Sequence, residues 1–237
     1  MKKIILAILI TTTLSLADFI GGEVDLGFYA HSPSGMAQNG DDIVDIKDDL
    51  KWQDESDIFL KAYLEHPVPL IPNIRLGYTK FGHSGEGSVT KSFFWGLLNI
   101  DGDVDSNLDL DIYDLTLYYE FLDNWINLDG GLNLKYLNGT LDVNSDHRDI
   151  SVPIPMLYAK AKIDIPTTDL SFQLEGDYIS YDNNQLYDVE VGARYSFALG
   201  FGIEAGYKAL KIKVDDVDDI SMDTKFNGAY GKLVWDF

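Results

Sequence analysis

From residue 18 onward, apolar and polar positions alternate with a period of two. The runs are about 9–11 residues long, the length a tilted strand needs to cross a bilayer. Ile58, Leu60, Ala62 and Leu64 alternate with Phe59, Lys61, Tyr63 and Glu65. Leu128, Gly130, Leu132 and Leu134 alternate with Asp129, Gly131, Asn133 and Lys135, and the pattern recurs over 157–165, 170–178 and 187–197. Successive strand residues face opposite ways, so each run has one greasy and one polar face. No long helical period is present, and no apolar run after Ala17 is long enough for a membrane helix.

The pattern predicts ten strands, near 19–30, 56–66, 73–82, 107–121, 125–138, 154–165, 169–181, 185–198, 200–213 and 223–237, with eight or twelve as alternatives. The apolar parity flips between Ile112 and Leu115 and between Ala209 and Leu210, and each flip predicts a β-bulge. Connections at one end are tight: Pro67 to Pro72, Leu122 to Asn124, Pro166 to Thr168 and Leu199-Gly200. At the other end 31–55, 83–106, 139–153 and 214–222 read as long polar loops, with 182–184 short. Asn138-Gly139 reads as a turn, and Phe93, Phe94 and Trp95 as part of an extended hairpin above the membrane. Short turns on one side and long loops on the other describe an all-β, antiparallel, up-and-down transmembrane barrel.

Residues 1–17 add an address. Lys2 and Lys3 precede the apolar run Ile4 to Ile10, and Ser15 and Ala17 sit at −3 and −1 of a cleavage site. A cleaved signal peptide over 1–17 and a barrel domain over 18–237 follow, with export through the Sec pathway. Aromatic residues fall near both ends of the predicted strands, as bilayer interfaces select.

Composition then removes whole classes of function. With no cysteine there is no disulfide or thiol chemistry. Lys+Arg 18 against Asp+Glu 39 gives a net charge of −21, which losing Lys2 and Lys3 takes to −23, so no nucleic-acid partner is expected.

The closing strand ends on Trp235-Asp236-Phe237, with Leu233, Trp235 and Phe237 on one face and Tyr230 opposite. These four residues resemble the C-terminal signal read by the barrel assembly machinery of Gram-negative bacteria. Glu65-His66-Pro67-Val68-Pro69-Leu70-Ile71-Pro72-Asn73, Asp114-Leu115-Thr116-Leu117-Tyr118-Tyr119-Glu120 and Leu122-Asp123-Asn124-Trp125 resemble stretches of a small, poorly characterised family of proteobacterial outer-membrane β-barrel proteins. That resemblance implies a cell outer-membrane location. Its implied partners are lipid, lipopolysaccharide, periplasmic chaperones and the assembly machinery. It brings no substrate and no catalytic residue.

The inward parity selects candidate lumen charges: Lys61, Glu65, Arg75, Glu120, Lys135, Lys160, Glu175, Glu190, Arg194 and Lys208, with Asp25, Asp129, Lys162, Asp177, Glu204 and Lys232 beside them. Mixed signs on long side chains in a ten-strand barrel favour a filled lumen, since aqueous channels are typical of 16–18 strands. A narrow porin-like pore for small solutes or cations is the alternative. Aspartates cluster in the outer loops, and Asp101, Asp103, Asp105, Asp215, Asp216, Asp218 and Asp219 are candidate Ca²⁺ ligands. Their spacing does not match a calcium loop, and a solvated acidic surface is the simpler reading, so no cofactor is expected. His31-Ser32, His83-Ser84 and His147 admit a third function, a rim hydrolase of the omptin kind, supported only by a shared strand count. No Gly-x-Ser-x-Gly elbow is present.

Overall fold

The computed structural model describes residues 21–39, 42–68, 70–95, 98–217 and 220–237. The predicted signal peptide lies outside these residues. Among the described residues, eleven strands form one antiparallel sheet: β1 (Gly21–Asn39), β2 (Asp42–Asp45), β3 (Glu55–Glu65), β4 (Asn73–Trp95), β5 (Leu98–Asp123), β6 (Ile126–Val143), β7 (Asp146–Asp164), β8 (Leu170–Tyr181), β9 (Asn184–Ser196), β10 (Phe201–Val217) and β11 (Ile220–Asp236). Each pairs with its neighbour, and β11 pairs with β1 from Glu23↔Asp236 to Gln38↔Ser221, so ten strands close a barrel. Closure is what lipid demands, because an open edge would leave backbone groups without partners. β2 is the extra strand; it pairs only with the far end of β1, Met36↔Asp45 to Asn39↔Asp42. The end carrying Gly21 and Phe237 is termed lower here, and the opposite end upper.

The tight lower turns fall where the sequence places them. The long upper loops do not exist as loops: β1, β4, β5, β6, β7, β10 and β11 run on through most of those residues. Asn138-Gly139 is not a turn but lies inside β6, with Gly139 opposite Leu110. Phe93 pairs with Ile100 and Trp95 with Leu98, so that segment is an extended hairpin as expected.

The parity flips are not bulges. The β4–β5 ladder runs unbroken through Thr79↔Ile112, Tyr78↔Tyr113, Gly77↔Asp114 and Leu76↔Leu115. The β10–β11 ladder is likewise continuous from Tyr207↔Ala229 to Leu210↔Phe226. Real irregularities lie elsewhere, between Glu120 and Leu122, Val89 and Phe93, and Val214 and Val217. What inverts at the flips is the medium. Below them Leu115 and Leu117 point outward and are exposed, while Thr116 and Tyr118 are buried inside. Above them Leu108, Leu110 and Ile112 are buried inside, while Asn107 and Asp109 face out. An outward face in hydrocarbon must be apolar and one in water polar, so an unbroken strand that leaves the bilayer exchanges its faces.

Inside the upper barrel lies an apolar core built from Tyr29, Phe81, Val104, Leu108, Leu110, Ile112, Leu137, Leu210 and Phe226. A strap, residues 46–54, folds into it and buries Ile46, Leu50 and Trp52. Asp45 starts the strap by accepting from the Lys47 (2.8 Å) and Asp48 (2.7 Å) backbone amides. Ser88 N donates to Asp49 O (3.0 Å) and Gln53 N to Ser84 O (3.0 Å), which ties the strap to β4 above its ladder with β3. The approach is so close that a Cβ on Gly87 would sit 1.9 Å from Asp49 O, so only glycine fits there. Trp52 Nε1 donates to Ser106 Oγ (2.8 Å), giving the buried indole its partner.

Candidate functional site

In the membrane-spanning zone the lumen is filled by a charged network. Arg75 Nη1 donates to Glu175 Oε1 (2.5 Å) and its Nη2 to Asp177 Oδ2 (3.0 Å). Lys61 Nζ bridges Glu175 (3.0 Å) and Glu190 (2.6 Å). Lys135 joins Asp114 (2.9 Å) to Asp188 (3.1 Å), and Lys208 reaches Asp188 (2.5 Å). Arg194 forks onto Glu23 (2.6 and 2.8 Å) while its Nε donates to Glu204 (3.0 Å). Lys232 meets Asp25 (2.7 Å) and Glu204 (3.3 Å).

Three rings wedge among these charges. Lys160 Nζ lies 4.3 Å from the Tyr63 ring centre and the Arg75 guanidinium 4.5 Å from that of Tyr158. Tyr118 OH donates to Glu65 Oε1 (3.0 Å). The cavity left among Lys61, Arg75, Asp114, Glu175, Asp188 and Lys208 measures about 20 Å³, space for one water. Unpaired charges buried this deeply would cost several kcal/mol each, roughly, so opposite signs from distant strands must meet.

Of the candidate lumen charges, Arg75, Lys135, Lys160, Glu175, Glu190, Arg194 and Lys208 are buried inside the barrel, Lys61 and Glu65 are half-buried, and Glu120 is exposed at the lower rim. There it lines a mouth of about 110 Å³ with Glu65, Asp129 and Lys160. Sequence reasoning missed Asp114, Asp188 and Glu23 as members. Asp114 shares its parity with Thr116 and Tyr118, and it is hidden only if a bulge is placed beside it. Of the C-terminal residues, Leu233 and Trp235 face outward, with Trp235 stacked on Phe201 (6.0 Å) and packed against Phe237 (4.9 Å). Phe237 and Gly22 exchange two backbone hydrogen bonds of 2.9 Å at the seam. Tyr230 points into the lumen, where its OH donates to Glu204 (2.6 Å).

Above the lumen, β1, β3 and β4 bring His31, Asp57 and His83 together. His31 Nε2 is 3.2 Å from Asp57 Oδ2, His31 Nδ1 is 2.9 Å from His83 Nε2, and His83 Nδ1 is 3.0 Å from Gln53 O. Both imidazoles are 2% exposed, caged by Phe81, Phe226 and the stacked Trp52. Ser84 faces solvent while His83 faces inward, so the adjacent pair is not a catalytic pair. His147 is exposed, 2.5 Å from Asp142, whose hydrogen bond raises its pKa. His66 sits in a lower turn near Pro72 O (3.3 Å).

Burial pushes the His83 imidazole, which lies above the membrane zone, down to about 4. The unfolded chain therefore binds a proton below about pH 6.5 that the folded one refuses, so stability should fall from pH 6.5 towards 4. The unfolding midpoint should drop between pH 7 and 5, and His83→Gln should flatten that slope. An unchanged slope in the variant would assign the pH dependence to other groups.

Asp103, Asp105 and Asp109 are exposed on the outer face of the upper β5 strand. Asp105 N donates to Asn144 Oδ1 (2.9 Å), and Asp103 pairs in register with Ser88. Asp215 Oδ2 accepts from Asn183 Nδ2 (3.1 Å). Among the described residues, no group of three or more His, Asp or Glu is placed to hold a metal. Asp218 and Asp219, and the side chains of Asp101 and Asp216, lie outside the described residues.

No protein-family model matches the chain, and no curated protein matches it in sequence. Solved structures do match in shape. The outer membrane protease OmpT from Escherichia coli is similar with a TM-score of 0.52 at 11% identity, over 93% of this chain and 97% of that one. The translocator domain of the autotransporter NalP from Neisseria meningitidis gives 0.45 at 11% identity, over 98% and 96%. Neisserial surface protein A gives 0.34 at 10%, over 92% and 97%. The first of these shows the fold: the chain is a closed transmembrane β-barrel of the outer-membrane type.

Proposed function

We propose that this outer-membrane barrel is a closed, non-conducting platform that displays a rigid acidic surface to partners outside the cell. The observation that carries the proposal is the double closure. The charged network fills the lumen, and the strap with its apolar core seals the barrel above it. On this reading the signal peptide directs export through Sec, and the assembly machinery reads Leu233, Trp235 and Phe237. The upper aspartates meet lipopolysaccharide through shared divalent cations such as Ca²⁺. Burial of His31 and His83, with Trp52 stacked on His83, argues against a hydrolase at the rim.

Single-channel recording of the refolded mature chain in a planar bilayer tests the proposal. Silence is expected, with and without Ca²⁺, from protein verified as inserted. Steady, reproducible openings would overturn it in favour of a narrow pore.

A further inference from the structure

The upper barrel wall has a gap. β7 pairs with β6 along its whole length, Ile126↔Ile163 to Val143↔Asp146, but with β8 only from Asp164↔Ser171 to Leu157↔Tyr178. The β8–β9 hairpin turns early, at Tyr181↔Asn184, so among the described residues the upper half of β7 rises above it with a free edge. β10 leaves its ladder with β9 at Lys213↔Gln185 and forms the other side of the notch. Pro153 and Pro155 lie on the free edge of β7. Lacking an N–H, they blunt it against pairing with another strand.

Behind this notch lies a cavity of about 220 Å³ inside the barrel. Leu110, Leu137, Ile150, Ile154, Ile212 and Phe226 are among the side chains that enclose it. Val152 points inward with Ile150 and Ile154 yet is 44% exposed, which marks the mouth. Among the described residues, no charged side chain lines the chamber. Its polar atoms are already engaged: Thr224 Oγ1 donates to Ile212 O (3.2 Å) and Trp52 Nε1 to Ser106 Oγ. A carboxylate or phosphate inside would find no partner and would bear its full desolvation cost.

We infer that this chamber is a binding site for a small uncharged apolar molecule, admitted sideways over the β8–β9 hairpin. A dry apolar cavity of roughly 150 Å³ holds benzene, so the present one suits a hydrocarbon of about eight carbons. The site lies above the paired lumen and does not depend on whether the lumen conducts.

Methyl NMR of the full mature chain in lipid nanodiscs tests this, with ethylbenzene as the neutral probe and octanoate as its charged counterpart. Ethylbenzene should produce saturating shifts at the Ile150, Ile154 and Ile212 methyls. The lipid-facing Ile58, Ile163 and Ile203 should shift only linearly, by partitioning. Octanoate should bind at least tenfold more weakly. Val152→Trp, at an exposed position that leaves folding intact, should close the mouth and weaken ethylbenzene at least tenfold. Leu137→Trp should fill the chamber from within.

Linear shifts throughout would overturn the site. Octanoate binding as well as ethylbenzene would overturn the uncharged class, and an unaffected Val152→Trp would overturn the lateral route. Contacts from lipid chains to Ile154 that ethylbenzene does not displace would make the chamber a lipid site instead.

Discussion

Arg194→Ala should destabilise the barrel by about 3–5 kcal/mol, the cost of removing one partner from a buried ion pair. Arg194 is 1% exposed and holds two carboxylates from different parts of the wall, Glu23 on β1 and Glu204 on β10. Without it Glu204 keeps Lys232 at 3.3 Å, but Glu23 loses its forked partner. Arg194→Lys should recover only part of the loss, because an ammonium cannot present parallel N–H groups to Glu23 while also serving Glu204. Urea titration of the protein refolded in detergent micelles measures both. A change below about 1 kcal/mol for the alanine variant would mean that water or Lys160 replaces the guanidinium at little cost.

Trp52→Ala should have a comparably large but local effect. Truncating a buried tryptophan costs about 3–5 kcal/mol in a well-packed core. Here the segment it anchors can leave the rest of the barrel folded, so the loss is limited to the free energy of local opening. The strap should detach from β4, freeing the backbone around the already exposed Lys47 and Lys51 for trypsin while the spanning strands remain protected. Gly87→Val should give the same cleavage by pushing from the other side, since its Cβ would collide with Asp49 O. Equal trypsin resistance of both variants and the parent would show that the strap's backbone hydrogen bonds hold it unaided.

The spanning part of the fold was legible because one rule governs it. The alternation at 157–165 and 170–178 has its apolar half outward throughout, and the lumen charges follow by parity. The upper part obeys the same period in the opposite sense. Val104, Ser106, Leu108 and Leu110 alternate with Asp103, Asp105, Asn107 and Asp109, yet so many aspartates read as loop. Both parity flips were visible, but a bulge explains a flip as readily as a change of medium does. That choice is what concealed Asp114. The cluster of His31, Asp57 and His83 gave no local signal, because its members meet only through strand register. Trp52 was equally silent, lying in a segment with no period at all.

The exchange of faces also fixes how deep the molecule rides. Tyr78, Tyr113 and Tyr136 lie in one hydrogen-bonded row, and the next row up holds Lys80, Asp111, Asn138 and Ser151. The wall turns from greasy to wet within a single step, like a hull painted to a sharp load line. Sinking by two residues would drag Lys80 and Asp111 into hydrocarbon, and rising would strand Leu115 and Leu117 in water. A membrane of different thickness must therefore deform to meet the barrel, since the barrel has no neutral height to slide to. The β8–β9 hairpin and the notch above it are held at one altitude over the lipid headgroups.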